Sequence, residues 1–260
     1  MPTGATRICI KAEVQLVVTM LVFFIAGAAF VATMLGGALA LKLSDRLHLI
    51  LGFSAGAVVA VAFFDLLPEA LDLGIHYYEL ATIVTAAAVG FFLYLLLDRL
   101  LLLHAHTDES SEVGQVETRG HVRAGSLSLH SFLDGIGIGL AFQVNAAVGL
   151  VVAAAVLAHD FSDGINTVNV VVRHGGEYKK ALRWLIVDAV APVLGVLVTL
   201  LFTVSTGHLS LLLALFAGFF LYIGASDLIP ESHHQHPKFM TTVMTLLGAA
   251  VLFTAIHFAG

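Results

Sequence analysis

The sequence predicts an all-α integral membrane protein with eight transmembrane helices, and composition is the first reason. Of the 260 residues, 59% are hydrophobic and only 12% are charged, and the mean hydropathy is +0.97. Soluble domains are nearer half apolar and a quarter charged, so a large soluble core does not explain this chain. Several apolar runs also exceed the roughly 18 residues that indicate a membrane-spanning helix.

Glycine, proline and clusters of charge divide the apolar sequence into eight segments that are long enough to cross a bilayer. The predicted spans are 14–41, 49–71, 79–103, 123–143, 147–172, 181–204, 208–230 and 239–258. The first run is too long for the apolar region of a signal peptide, so we interpret it as a span. The polar segment 104–122 has no apolar period and predicts a flexible loop. We expect a single transmembrane domain over residues 1–260.

Lysine and arginine are concentrated on one side of this predicted bundle. With eight spans, both termini share a side, and the loops after spans one, three, five and seven face the other side. Those loops hold ten of the twelve basic residues, namely Lys42, Arg46, Arg99, Arg119, Arg123, Arg173, Lys179, Lys180, Arg183 and Lys238. By the positive-inside rule these loops, including 104–122, are cytoplasmic and both termini are extracytoplasmic.

A short pattern occurs twice in spans that run in opposite directions. D-L-[LI]-P-E stands at 65–69 near the end of span two and at 227–231 near the end of span seven. Each of these spans has one predicted span on either side. This indicates an inverted repeat of three helices, a feature of alternating-access carriers, although D-x-x-P is also a natural helix end.

A second repeated pattern lies in the middle of spans four and five. "HSFLDGI" at 130–136 and "HDFSDGI" at 159–165 share H-x-F-x-D-G-I. On a helix, positions i and i+4 share a face, so His130 pairs with Asp134, and His159 with Asp163. Two such pairs on adjacent antiparallel helices supply two imidazoles and two carboxylates, which suit Zn²⁺, Fe²⁺ or Mn²⁺.

Four carboxylates inside apolar spans require compensation. They are Asp134, Asp160, Asp163 and Asp188. Each uncompensated Asp at mid-membrane costs about 2.5–3.5 kcal/mol on insertion scales, so four cost roughly 10 kcal/mol. No span has a Lys or Arg near mid-depth to pair with them. A divalent cation, a water-filled cavity or protonation must compensate, although a single such residue often only hydrogen-bonds to a neighbouring helix.

Other candidate ligands lie towards the two faces of the membrane. Asp65, Glu69 and His76 are near the extracytoplasmic ends of spans two and three, whereas Asp227 and Glu231 are near the cytoplasmic end of span seven. Solvated helix caps are the simpler explanation of the carboxylates. The cytoplasmic loops carry His104, His106, His233, His234 and His236. Such clusters bind metal weakly, or do nothing.

The chain resembles the ZIP family (Zrt-, Irt-like proteins) of divalent metal transporters over almost its whole length. The resemblance rests on eight spans, extracytoplasmic termini, a histidine-containing loop after span three and the paired motifs. In the family, span four commonly reads H-N-x-P-E-G and span five H-E-x-x-E-G, whereas here they read "HSFLDG" and "HDFSDG". Both motifs lack the common proline, and Asp replaces Glu.

The resemblance implies a primary transport site made by His130, Asp134, His159 and Asp163. It also places Ser131 and Asp160 where some members hold ligands of a second, adjacent metal. Some members have Glu-Pro in span six, where this chain has Ala191-Pro192. Asp188, three residues earlier, is a candidate substitute for that glutamate. The family fold is a three-plus-two-plus-three bundle, and members generally move Zn²⁺, Fe²⁺, Mn²⁺ or Cd²⁺ toward the cytoplasm, often as homodimers.

We therefore expect a carrier or slow selective channel in the cell membrane that moves a divalent transition metal, with Zn²⁺ as the first candidate. The ion enters near Asp65, is held between spans four and five, and leaves past Asp227 and the loop histidines. The alternatives are an intramembrane metal-dependent hydrolase or oxygenase that uses the same His/Asp site, and a metal sensor, which would require a soluble output domain. We expect lipid and a second copy of the chain as partners, and no nucleic acid.

Overall fold

A computed structural model describes residues 4–43, 47–104, 112–173, 175–233 and 239–259, and these contain helices and turns but no strand. Helix is the expected solution, because a chain in hydrocarbon must satisfy its backbone hydrogen bonds within itself. The helices are α1 (Gly4–Leu43), α2 (Leu47–Val61), α3 (Leu67–Gly74), α4 (Leu80–His104), α5 (Glu112–Val144), α6 (Ala146–Arg173), α7 (Tyr178–Thr199), α8 (Thr206–Tyr222), α9 (Ile229–His233) and α10 (Phe239–Ala259).

Eight helical stretches of the described chain are long and apolar enough to cross a membrane. They are Thr19–Ala40, His48–Gly74, Leu80–Leu100, Gly120–Val144, Ala146–Val172, Tyr178–Thr199, Thr206–Ser226 and Phe239–Phe258. Each corresponds to one predicted span. The predicted fold class, an all-α membrane protein with eight spans, is confirmed.

The boundaries differ from the prediction in two places. The segment 104–122 was expected to be a loop, but α5 begins at Glu112, so the prediction is wrong for residues 112–122. This stretch contains no proline, and its Glu, Gln and Arg residues are good helix formers, although each of its two glycines costs about 1 kcal/mol relative to alanine. Residues 105–111 lie outside the described part. Span six was expected to reach 204 but ends at Thr199.

Spans two and seven are each interrupted by a wide, π-helical turn. The first covers Ala62–Leu66 and the second Ile223–Leu228. Each ends two residues before a proline, Pro68 or Pro230. Proline has no N–H to donate to the carbonyl four residues earlier, and a π turn accommodates that loss within a helix. The repeated D-L-[LI]-P-E pattern therefore coincides with the same backbone irregularity in both spans.

Glycines let four pairs of helices touch through their backbones, because a Cβ at each position would overlap a carbonyl oxygen on the facing helix. The pairs are Gly36 with Phe161 and Gly164 with Thr33 between α1 and α6; Gly135 with Pro192 and Gly195 with Phe132 between α5 and α7; Gly56 with Thr245 and Gly248 with Phe53 between α2 and α10; and Gly90 with Leu215 and Gly218 with Ala87 between α4 and α8. If span one is exchanged with span six, two with seven, three with eight and four with five, the contact between α1 and α6 maps onto the contact between α5 and α7. In the same way, the contact between α2 and α10 maps onto the contact between α4 and α8. These contacts favour the predicted inverted repeat, whose 3+2+3 arrangement stays a prediction.

Helix α6 lies at the centre of the bundle. It packs against α1, α2, α5, α7 and α10, and its span has the largest buried share of the eight. Polar residues on α6 therefore face other helices rather than lipid, and the second H-x-F-x-D-G-I motif lies on this helix.

Candidate metal centre

The two repeated motifs meet between α5 and α6. One ligand atom from each of His130, Asp134, His159 and Asp163 lies within 4.8 Å of every other. The i,i+4 spacing places each His–Asp pair on one helix face, and the antiparallel packing of α5 on α6 brings the faces together. All four side chains are buried, with 6% exposure for His130 and 1% or less for the others.

The ligand atoms converge on one point. The Nε2 atoms of His130 and His159 lie 3.2 and 3.0 Å from Oδ2 of Asp134. The same two nitrogens lie 3.5 and 3.8 Å from Oδ2 of Asp163. The two imidazole rings are 5.4 Å apart, centroid to centroid. Two nitrogen and two oxygen donors at such separations form a set that can close around one divalent ion.

The orientation of His159 is fixed by its other ring nitrogen. Nδ1 lies 2.9 Å from the carbonyl oxygen of Ala155. Because a carbonyl only accepts, Nδ1 carries the proton and Nε2 presents its lone pair. That lone pair faces a carboxylate oxygen of Asp134, so two acceptors are in contact and require a proton or a cation between them. Metal-binding histidines commonly donate their second N–H to a carbonyl in this way.

The carboxylates have spare acceptor capacity. Within the described chain, Oδ1 of Asp134 and both oxygens of Asp163 accept no hydrogen bond. Buried carboxylates normally accept two or more hydrogen bonds or bind a cation. The donor set, the geometry and these oxygens agree that the cluster could hold a metal ion.

Asp188 has a different environment from the four cluster residues. Its Oδ1 accepts a hydrogen bond from Ser131 Oγ at 2.9 Å, and its Oδ2 accepts one from Thr167 Oγ1 at 2.9 Å. Asp188 on α7 thus links the two ligand helices through one hydroxyl on each. These bonds engage Ser131 and Asp188 with each other, and their role as ligands of a second metal stays a prediction.

Asp160 is fully buried, and neither of its oxygens has a hydrogen-bond partner among the described residues. It precedes Phe161 on α6 and lies about 100° around the helix from His159, so it is outside the four-residue cluster. A buried carboxylate without donors is costly, and the role of Asp160 as a metal ligand, which the family resemblance implies, stays a prediction.

The predicted entrance residues form a series from the interior to the surface. Asp65, in the first π turn, is 9% exposed and its Oδ2 has no partner in the described chain. Glu69 is half-buried, and His76 is exposed. On the predicted exit side, the side chains of Asp227, Glu231, His233 and His104 lie outside the described part, as do residues His106, His234 and His236 entirely.

Sequence reasoning missed several residues that surround the cluster. Ser54 on α2 hydrogen-bonds to Ser162 Oγ and to the carbonyl oxygen of Ala158, each at 3.0 Å, and so joins α2 to α6. Tyr94 on α4 places its ring edge-on to His130, with centroids 6.3 Å apart. Thr167 could have been identified from the sequence, because it lies four residues after Asp163 and therefore on the same face of α6.

Comparison with known proteins decides the family. Residues 102–255, more than half of the chain, match the family described as ZIP Zinc transporter. The chain belongs to the ZIP zinc transporter family. The match includes both ligand motifs, spans six and seven, and most of span eight.

Curated relatives of this family cover the chain to different extents. Zinc transporter ZupT of Enterobacter sp. (strain 638) is 25% identical over 252 residues, which are 92% of this chain and 95% of the relative. Zinc transporter ZupT of Salmonella heidelberg (strain SL476) is 27% identical over 255 residues, 91% of this chain and 95% of the relative. Zinc transporter foi of Drosophila melanogaster is 28% identical over 120 residues, 46% of this chain but only 17% of the fly protein. The chain thus matches nearly all of the bacterial relatives and a small part of the fly protein.

Proposed function

We propose that this protein transports divalent transition-metal ions across a membrane, with Zn²⁺ as the principal substrate, through the cluster of His130, Asp134, His159 and Asp163. One observation carries the proposal: the four side chains of the two repeated motifs converge within 4.8 Å of one another inside the bundle. Membership of the ZIP family supports transport, and the named zinc transporters among its relatives support Zn²⁺. Fe²⁺, Mn²⁺ and Cd²⁺ bind similar N/O donor sets and are further candidate substrates.

The cluster is suited to an ion that must also leave. Two neutral imidazoles and two carboxylates give a neutral complex with a divalent ion, which is favourable in a low-dielectric interior. Because the set lacks thiolates, it avoids the ligands that hold Zn²⁺ in closed structural sites. Protonated histidine cannot ligate a metal, so protons compete with the ion for His130 and His159. Asp160 lies beside this site and is proposed to assist dehydration or hold a second ion.

The proposed direction of transport combines the orientation that the basic residues predict with the direction that the family resemblance implies. We propose that ions move from the extracytoplasmic face, past Asp65, Glu69 and His76, to the cluster and then to the cytoplasm past Asp227, Glu231 and the loop histidines. The protein is proposed to reside in the cell membrane with both termini outside, as a homodimer. The series of acidic side chains in span two supports the entrance, and the positive-inside rule supports the orientation.

The alternative function, an intramembrane metal-dependent hydrolase or oxygenase, has less support. The relatives reported above are named as transporters. A catalytic metal requires an open coordination position and a substrate cleft, whereas acidic residues towards both faces and paired helices of opposite direction are expected of a carrier.

Removal of single ligands tests the proposed site. His130→Ala and Asp163→Asn each delete a donor to one ion, so each should lower equilibrium Zn²⁺ affinity by about a hundredfold or more, as loss of a charged contact worth roughly 3 kcal/mol implies. The double variant should lose little beyond the worse single variant, because residues that act as a unit are not additive. Equilibrium binding to purified protein and Zn²⁺ flux in proteoliposomes are the measurements.

His257→Ala provides a matched control. His257 is an exposed histidine on α10 that stacks on Phe253, so its loss should leave both binding and flux unchanged. Additive losses for His130 and Asp163 in folded protein would contradict a common site. Zn²⁺ binding without flux in the unaltered protein would contradict transport itself.

Labelling of single cysteines tests the orientation. In a Cys9→Ser background, Ser111→Cys should be protected and Ser205→Cys should react with an impermeant thiol reagent added to intact cells, because the two positions are predicted to face opposite sides. The reverse pattern would invert the entrance and the exit.

A further inference from the structure

Two asparagines lie on α6 beyond the metal centre, on the way to the helix end. Asn166 and Asn169 follow Asp163 by three and six residues, which places them about 4.5 and 9 Å further along the axis. Both are half-buried, although the residues between them, Thr167 and Val168, are buried. The span that contains them continues to Val172, so both amides lie within it.

The direction in which Asn166 faces follows from contacts of its neighbours. Asp163 belongs to the cluster shared with α5, and Ser162 bonds to Ser54 of α2. At about 100° per residue, Asn166 lies between these two directions, roughly 60° from Asp163 and 40° from Ser162, while Asn169 lies about 20° from Ser162. Asn166 therefore faces the side of α6 between α5 and α2, whereas Asn169 lies just beyond Ser162, on the side that faces α2.

Both asparagines keep partial exposure although other helices pack on this side of α6. Among the described residues, α2 and α5 both pack on α6 but are not in extensive contact with each other, and α8 packs against both. Neither amide has a hydrogen-bond partner within the described chain, and neither side chain is closed off by its neighbours. An unpaired amide facing hydrocarbon is unfavourable, and polar groups within spans are found facing water-filled cavities or other polar groups. The half-buried asparagines accordingly favour an aqueous passage beside α6.

We propose that Asn166 and Asn169 form a second, transient binding site for the transported divalent cation, in a passage that leads from the His/Asp cluster to the end of α6. The inference rests on the proposed transport function and assigns two residues that the ligand motifs do not include. The ligand is a partly hydrated divalent ion, held through the amide oxygens and the water that they bind.

The chemistry of the amides suits an ion in transit. An amide oxygen is a neutral acceptor, so it replaces a water ligand without the strong attraction of a carboxylate. Successive oxygens about 4.5 Å apart along the axis let the ion leave Asp163 for Asn166, and then Asn169, with part of its hydration shell retained. The weak site lowers the barrier to release and contributes little to the equilibrium affinity of the cluster.

The test compares variants that keep or remove the amide. Asn166→Leu/Asn169→Leu keeps the branching at Cγ but has no oxygen, and should lower Zn²⁺ flux in proteoliposomes at least about tenfold, the effect of roughly one lost contact to a charge. Equilibrium Zn²⁺ affinity should remain within about twofold of the unaltered protein, because the cluster is intact. Asn166→Gln/Asn169→Gln keeps the carbonyls and should retain most of the flux.

Flux equal to that of the unaltered protein in the double leucine variant would overturn the inference. So would a matching loss of equilibrium affinity, since the amides would then belong to the primary site. If the unaltered protein carries no Zn²⁺, the proposed function fails first. If the unaltered protein transports Zn²⁺ and the double leucine variant transports it equally fast, the proposed function stands and only this inference fails.

A second measurement applies if the leucine variant does not fold. Asn166→Cys and Asn169→Cys, each in a Cys9→Ser background, should react with a hydrophilic thiol reagent, and Zn²⁺ should slow the reaction. Unreactive cysteines at both positions in folded protein would show that the passage does not exist and would overturn the inference.

Discussion

The segments 130–137 and 159–166 have the same ligands but different surroundings at their last residue. They read "HSFLDGIG" and "HDFSDGIN". Gly137 is buried, and a Cβ there would lie 3.3 Å from the ring of Phe216. Asn166, at the matching position, is half-buried. Three residues later the contrast repeats, with Leu140 only 1% exposed and Asn169 half-buried. The shared positions build the centre, and these two unshared positions are buried on α5 but only half-buried on α6.

The largest effect is expected where the two motifs are alike. Gly135→Ala and Gly164→Ala each place a Cβ onto a facing backbone carbonyl, of Pro192 or Thr33, and overpacking of this kind typically costs about 1–3 kcal/mol or more. Both variants should lower the thermal stability of the purified protein by similar amounts. Gly27→Ala is the control, because nothing lies within 4 Å of its added Cβ. A much smaller loss of thermal stability in one variant than in the other would show that the two motif glycines are not packed equally tightly.

An intermediate effect is expected where the motifs differ in accessibility. In a Cys9→Ser background, Asn169→Cys should react with a hydrophilic thiol reagent about a hundredfold faster than Leu140→Cys, which corresponds to roughly 2.7 kcal/mol of opening free energy for the buried position. Adding Phe216→Ala removes the ring beside Gly137 and should raise the rate at position 140. Equal rates at 140 and 169 would mean that the two sides of the centre are equally closed.

The smallest effect is expected at the second position of the motifs, Ser131 and Asp160. Asp160→Asn should lower Zn²⁺ affinity less than about tenfold, well below the effect of Asp163→Asn, because Asp160 lies outside the cluster. It should also raise thermal stability without metal, since a buried carboxylate lacking donors is removed. Ser131→Ala takes one of two hydroxyl donors from Asp188 and should cost only about 0.5–1.5 kcal/mol of stability, because the bond from Thr167 remains. If Asp160→Asn lowered Zn²⁺ affinity more than Asp163→Asn does, the primary site would not be the four-residue cluster.

Much of this architecture was predictable from the sequence because hydrocarbon imposes simple constraints. The eight spans follow from apolar length, and the cluster follows from i,i+4 spacing on two adjacent antiparallel helices. The turn between spans four and five is short, so the two motifs lie at similar depth in the membrane. This alone brings His130 and Asp134 close to His159 and Asp163.

Other features depend on contacts between distant segments, which no local pattern encodes. The partners of Asp188 are hydroxyls from α5 and α6, so their geometry is set by packing rather than by spacing along α7. The start of α5 at Glu112 was missed because polarity was read as disorder, although helix propensity is independent of burial. Asn166 was overlooked because a single asparagine carries no motif, yet comparison with Gly137 marks the position.

The glycine contacts have a mechanical consequence. Between α1 and α6, and between α5 and α7, no layer of side chains separates the backbones, so these helices cannot slide past one another by changing rotamers. We expect the four helices to move together, with the cluster between them. Their contacts with α2, α4 and α8 include side chains such as Ser54, Tyr94 and Phe216, which can exchange partners as packed helices shear. If the proposed transporter is a carrier, exposing the ion to the opposite face of the membrane would displace all four helices, and the ligands of the ion would move with it.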